Sequence, residues 1–343
     1  MNFSRRAWSR LRRMVSTTQA DVHSSPSTML RWDQVDLEAL RQGQAISPEQ
    51  LQNQGIATTT LVPRQKEKLY LCVASNALIT EHYGAYDRRG NPLDGCFFQR
   101  AGLFLHGGPQ KLRPPRSWRR SVIPVALYIN NIELRHFGHK LTDGCSSVFP
   151  LLLLTRHNCR ISGLPIVINR QLADRRQELI DLFGLSEEQI LIPTVNSKRL
   201  LVEQLLIPVP SMLNGGIIPD GGYVNREHPA LVKELLSRIV ATPPTIGRGG
   251  TGSKLYLSRS HLSSQQRLFE DEAALEKELA RRGWMIFHPQ EHELSRQMQA
   301  LHEARSVCST QGSALHLLFG IDPAPDLGVV MLSTPQINVN YTN

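Results

Sequence analysis

The chain has 343 residues, 41% hydrophobic, 20% charged and 6% aromatic, a globular composition with room for two domains of about 150 residues. It nowhere offers the roughly 18 consecutive apolar residues of a membrane span, and its start lacks the apolar run of a signal peptide. The net charge of +9 is local: residues 1–20 carry five arginines, residues 96–132 carry six Lys/Arg, neither stretch has an acid, and the remainder is slightly acidic. Five cysteines (Cys72, Cys96, Cys145, Cys159, Cys308) in no paired spacing indicate neither a disulfide framework nor a zinc ribbon, and suggest a reducing compartment.

Residues 1–60 are polar, basic at the start, and read as a lead-in. In Arg5-Arg6-Ala7-Trp8-Ser9-Arg10-Leu11-Arg12-Arg13, apolar Phe3, Trp8, Leu11 and Met14 interleave with the charge. Residues 1–14 read equally as an amphipathic anchor for an anionic membrane surface and as a basic tail. Nucleic acid is not the expected partner, because only Phe3 and Trp8 offer stacking and no nucleic-acid-binding signature follows. The expected location is cytoplasmic, peripheral at the inner face of the membrane.

A short helix is expected around Asp36 to Arg41, then strands at 68–74 and 123–129 separated by a Gly/Pro-containing loop region. From Gly138 onward a helix would put His139 and Asp143 four residues apart, on one face, just after a strand. Such a pair can take a proton near neutral pH; it reads equally as a capping histidine with a surface aspartate. An apolar run at 149–154 completes that helix. Strands at 165–168, 189–193 and 200–207 and a helix from about 171 to 183 give a first α/β unit. The Pro/Gly-rich stretch 208–222 is the expected linker. The domains are thus a lead-in (1–60), an N-terminal acceptor-side α/β domain (61–220) and a C-terminal nucleotide-binding one (221–343).

After a helix from about Pro229 to Val240, the C-terminal part alternates strictly: strand 255–258, helix from about Ser264 to Arg282 closed by Gly283, strand 284–287, a second helix ending near Ala304, strand 306–309. This pattern predicts a parallel sheet whose ligand sits beyond the carboxyl ends of its strands. The last strand stops at Thr310-Gln311-Gly312 and gives way to an apolar helical pattern. A glycine before a helix lets backbone approach a ligand, and the first-turn N–H groups favour an anion. Arg259 belongs to the same edge, and a guanidinium beside a helix N-terminus suits a diphosphate.

Two motifs mislead. His288-Pro289-Gln290-Glu291-His292 has the zinc-like His-x-x-Glu-His spacing, but that site needs both histidines on one helix face, and His288 follows a strand and precedes a proline. Gly247 to Gly252 precedes a strand instead of following one, which is not the dinucleotide-binding context. No Asp-x-Asp occurs, so no metal–diphosphate ligand pair of that type is present.

The segments 254–260 (Lys-Leu-Tyr-Leu-Ser-Arg-Ser), 267–272 (Arg-Leu-Phe-Glu-Asp-Glu), 303–307 and 312–319, with Phe-Gly-His-Lys-Leu-Thr-Asp-Gly at 137–144, resemble glycosyltransferase family 61 over about residues 120 to 335. That family includes bacterial capsular-polysaccharide biosynthesis proteins. The resemblance implies a GT-B-like α/β fold, two Rossmann-like domains facing across a cleft, and an inverting transferase. It would move a sugar from a UDP-linked nucleotide donor to a glycan hydroxyl, in surface polysaccharide biosynthesis, with no cofactor and no metal. It also implies site residues. Arg259 and Arg267 resemble the diphosphate-side residues, Glu270 the glutamate of an Asn-Glu-Asp-Glu pattern, and Gln311, Gly312 and Ser313 stand where many members have His-Gly-Ala. His139 and Asp143 match a His-x-x-x-Asp, the acceptor-side pair. The chain departs at Phe269, where the pattern has asparagine, at Gln311, and around Met331, where a glutamate near the ribose is expected. It ends soon after that strand, without the C-terminal helix that commonly crosses back in GT-B folds. A catalytically degenerate glycan- or partner-binding homologue is the alternative that these departures suggest.

Overall fold

A computed structural model describes residues 28–54, 56–57, 67–79, 85–91, 93, 99–100, 103–104, 121–129, 141, 144–168, 170–193, 200–213, 223–240, 253–262, 271–321 and 326–332. The chain divides into two compact units, one of residues 1–132 and 147–225, the other of 133–146 and 226–343.

The first unit is built on an eight-stranded mixed sheet. Its strands are β1 (Thr28–Arg31), β2 (Ile56–Ala57), β3 (Tyr70–Ile79), β4 (Ala85–Tyr86), β7 (Ser121–Ile129), β8 (Ile166–Ile168), β9 (Ile190–Leu191) and β10 (Leu200–Pro208), in the order β2-β1-β3-β10-β7-β8-β9 with β4 on β3. Two hairpin pairs, β5 (Gln99–Arg100) with β6 (Leu103–Phe104) and β11 (Met212–Leu213) with β12 (Tyr223–Val224), stand apart. Strand β10 is antiparallel to β3 and parallel to β7, and β7, β8 and β9 are mutually parallel. The apolar runs follow from this: Ala126 to Ile129 and Ile166 to Ile168 are all buried, as strands covered on both faces must be.

Helix α1 (Leu37–Arg41) begins where expected because Asp36 caps it, its carboxylate accepting from the N–H groups of Glu38 and Ala39,. It is followed by α2 (Pro48–Gln54). Of the helix expected from Gly138, Leu141 and Gly144 have π geometry and α3 spans Cys145–Leu154. The helix expected over 171–183 starts as a 3-10 run, Arg170–Arg175, before α4 (Arg176–Phe183). The expected linker is partly strand, since β10 runs on through Pro208 and β11 follows.

In the second unit four parallel strands, β13 (Ser253–Leu257), β14 (Trp284–Phe287), β15 (Ala304–Thr310) and β16 (Gly328–Leu332), lie in the order β14-β13-β15-β16. Helix α5 (His228–Ile239) precedes the sheet, α6 (Glu272–Arg281) connects β13 to β14, and α7 (Leu294–Glu303) connects β14 to β15. Helix α6 ends at Gly283, whose φ of +81° is the left-handed turn a glycine takes without cost,. The chain goes from β13 to one neighbour and then crosses to the other. That reversal makes the carboxyl ends of β13 and β15 the topological switch point, where open parallel sheets leave a crevice.

One element differs in kind. After Gly312 the chain forms a 3-10 run, Ser313–Gly320, and not the expected α-helix. Leu315, His316 and Leu317 are all buried, so burial picks out no single 3.6-residue face and the apolar pattern does not discriminate the two helix types. Among the described residues no helix is long and apolar enough to cross a membrane.

Candidate active site

Beyond the ends of β13 and β15 lies a cavity of about 240 Å³, lined by Ser258, Arg259, Leu262, Gln297, Ser309 and Gly312 among others. It sits in the switch-point crevice. The sheet builds its floor. Ser258 N–H donates to the Phe287 carbonyl (2.8 Å), carrying the β13–β14 ladder one residue further. The Ser309 hydroxyl donates to the Leu257 carbonyl (3.1 Å), tying the β15 end to the β13 end.

The Ser258–Leu262 turn is held from α6. Glu272, at the helix start, accepts from the Arg259 backbone N–H (3.0 Å) and the Tyr256 hydroxyl (2.8 Å). One turn on, Glu276 accepts from the Ser258 hydroxyl (2.5 Å). Burial pushes the Glu276 carboxyl up, but hydrogen bonds from Ser258 and Ser260, with His288 and His261 near, carry it below the usual carboxylate range. Burial, then the Glu272 hydrogen bond, drives the Tyr256 hydroxyl well above the ordinary tyrosine range, so it stays a donor.

Arg259 lies across the mouth between the strands. Its guanidinium donates to the Gln311 carbonyl (2.6 Å), which leaves it with further N–H groups and no carboxylate partner among the described residues. Such a guanidinium is poised for an external anion. Gly312 makes room for it: a Cβ there would come within 3.2 Å of Arg259 Cδ and 3.4 Å of its terminal nitrogen. The glycine backbone is extended, φ −169°, so the position requires a missing side chain and not an unusual dihedral. The far wall is fixed by Gln297, whose amide nitrogen donates to the carbonyls of Pro289 and His292 (both 2.8 Å).

Arg259, Gly312 and Ser313 thus meet at one cavity, with Gln311 holding Arg259 through its carbonyl; the Gln311 side-chain nitrogen is buried without a partner among the described residues. His139, Asp143, Arg267 and Glu270 lie outside the described residues, as does Phe269. The sequence reading missed Glu272, although it stands in the acidic cluster with Glu270. The available signal was the Glu272–Glu276 spacing, four residues on one helix face. Nothing in the sequence singles out Gln297.

The His-x-x-Glu-His stretch forms a 3-10 turn, Pro289–Glu291. His288 stacks on His261 (3.8 Å between centroids), His261 bonds Glu291 (2.5 Å), and His292 stacks on Phe287. The two histidines therefore serve different partners. Among the described residues no group of three His, Cys, Asp or Glu is placed to hold a metal ion.

No curated protein matches the chain. The family model described as Glycosyltransferase 61 matches residues 137–325, a span that contains both the Phe137–Gly144 motif and every residue lining the cavity. The chain is a member of glycosyltransferase family 61.

Proposed function

We propose that this glycosyltransferase takes a nucleoside-diphosphate sugar, UDP-linked, as donor and transfers the sugar to a glycan hydroxyl with inversion, in surface polysaccharide biosynthesis. The observation that carries the reading is Arg259, without a carboxylate partner among the described residues, on a cavity at the switch point of a parallel sheet,. The fold that goes with it is GT-B-like, two Rossmann-like domains, and the βαβ runs in each unit support it.

In this reading Asp143, assisted by His139, takes the acceptor proton. The acceptor oxygen forms a bond to the anomeric carbon from the face opposite the diphosphate, and the bond from that carbon to the diphosphate oxygen breaks with its electron pair. Arg259 with Arg267 then stabilises the departing charge. Gln311, Gly312 and Ser313 shape the donor side, and Glu270 holds the nucleotide sugar. No metal is needed, since the arginines do the work of a cation.

Substitution Asp143→Asn keeps shape but is a far poorer proton acceptor. Transfer should fall by on the order of 10² to 10⁴ with UDP binding unchanged, and chelators should leave wild-type transfer intact. Near wild-type transfer by Asp143→Asn would move the role of base elsewhere. UDP binding without transfer or donor hydrolysis in the wild type would favour the degenerate, binding-only reading that Phe269 and Gln311 suggest.

A further inference from the structure

Resting on that donor-site reading, we propose that Glu272, with Tyr256, is a positioning residue: it fixes the backbone of Arg259 so that the guanidinium faces the diphosphate. Glu272 is 3% exposed and Tyr256 fully buried. One carboxylate oxygen takes both available donors, the Tyr256 hydroxyl and the Arg259 N–H, while the other is buried with no hydrogen-bond partner among the described residues. A carboxylate withdrawn from water and half satisfied is a poor way to stabilise a sheet. Its placement is explained by what it holds. The Arg259 N–H lies just past the end of β13, and a carboxylate opening α6, where the helix dipole favours negative charge, receives it in place of a ladder carbonyl,. Arg259 is then gripped at the backbone by Glu272 and at the guanidinium by the Gln311 carbonyl, with its stem seated on Gly312. An anion would meet a pre-organised arginine and not a mobile one.

The test compares UDP binding to wild type, Glu272→Ala, Glu272→Gln, Tyr256→Phe, Arg259→Ala and the double variant Glu272→Ala/Arg259→Ala. Glu272→Ala should weaken UDP on the order of tenfold. Glu272→Gln, whose amide oxygen accepts the same two bonds, should restore most of it, and Tyr256→Phe should fall between. In the Arg259→Ala background the Glu272 effect should vanish. An undiminished affinity in Glu272→Ala, a Gln variant as impaired as Ala, or an equal loss in the Arg259→Ala background would each overturn the proposal. Should wild type bind no UDP, the donor reading fails separately. The positioning claim is then decided by amide exchange at Arg259: selectively faster in Glu272→Ala, with Cys308 in β15 unchanged, upholds it, and unchanged exchange at Arg259 overturns it.

Discussion

At Gly312 the backbone is extended, a conformation alanine adopts freely, and the atoms nearest an added methyl all belong to the Arg259 side chain. Gly312→Ala should therefore fold normally, its stability within about 0.5 kcal/mol of wild type, and lose UDP affinity by roughly tenfold as the guanidinium is pushed off line. Parallel denaturation curves and calorimetric titrations check both halves; a destabilised protein with intact affinity would contradict the assignment. The same residue illustrates what was legible. Arg259 and Gly312 stand out in the sequence because both follow strand-forming runs, and strand ends are where open sheets bind. The reason for the glycine was not legible, since the neighbour that needs the space is 53 residues away. Glu272 was hidden similarly: a carboxylate in the first turn of a helix looks like ordinary dipole compensation until Tyr256 and the Arg259 N–H are found on it.

The packing of α5 against the 3-10 run supplies a pH dependence. His228 at the start of α5 is fully buried, edge-on to Phe319, and burial, with His316 beside it, holds its imidazole down to about 3. The folded protein keeps it neutral, while the unfolded chain takes up a proton near pH 6.5. His228 therefore costs nothing above pH 6.5, and stability falls as the pH drops from 6.5 toward 3, by up to about 1.4 kcal/mol per pH unit. Urea denaturation at pH 7.5 and 5.5 should show that loss in wild type and a smaller one in His228→Phe. Equal losses in both would mean that His228 does not govern the acid sensitivity. Helices here were readable where one periodicity dominated, as in α7, whose buried residues Met298 and Leu301 lie three apart. They were not where consecutive residues are buried, as Leu315–Leu317 are within Ser313–Gly320, or where a proline-free loop already turns as a 3-10 helix, as in Arg170–Arg175.

Over the whole molecule, composition and the alternation of element types were enough to indicate a mixed α/β protein with a parallel C-terminal sheet. The order of motifs was enough to indicate family 61. Sequence alone could not order the strands, because the crossover from β14 to the far side of β13 is a matter of which edges remain free once the first βαβ unit has formed. The charge distribution makes a separate claim. Anchoring through residues 1–14 predicts co-sedimentation with anionic vesicles at low salt, released by raised salt and by deletion of those residues. Equal sedimentation of full-length and truncated protein would remove the membrane surface from the list of partners.

In the proposed reading Arg259, at the switch point of the second unit, binds the diphosphate of a nucleotide-sugar donor. A calorimetric titration with UDP, in the presence of a chelator, tests it most directly. The wild type should bind, and Arg259→Ala should lose at least tenfold in affinity, as expected when a charged hydrogen bond worth about 1.5–3 kcal/mol is removed, while the variant's unfolding curve is unchanged. Equal UDP affinity in the two proteins would contradict the account.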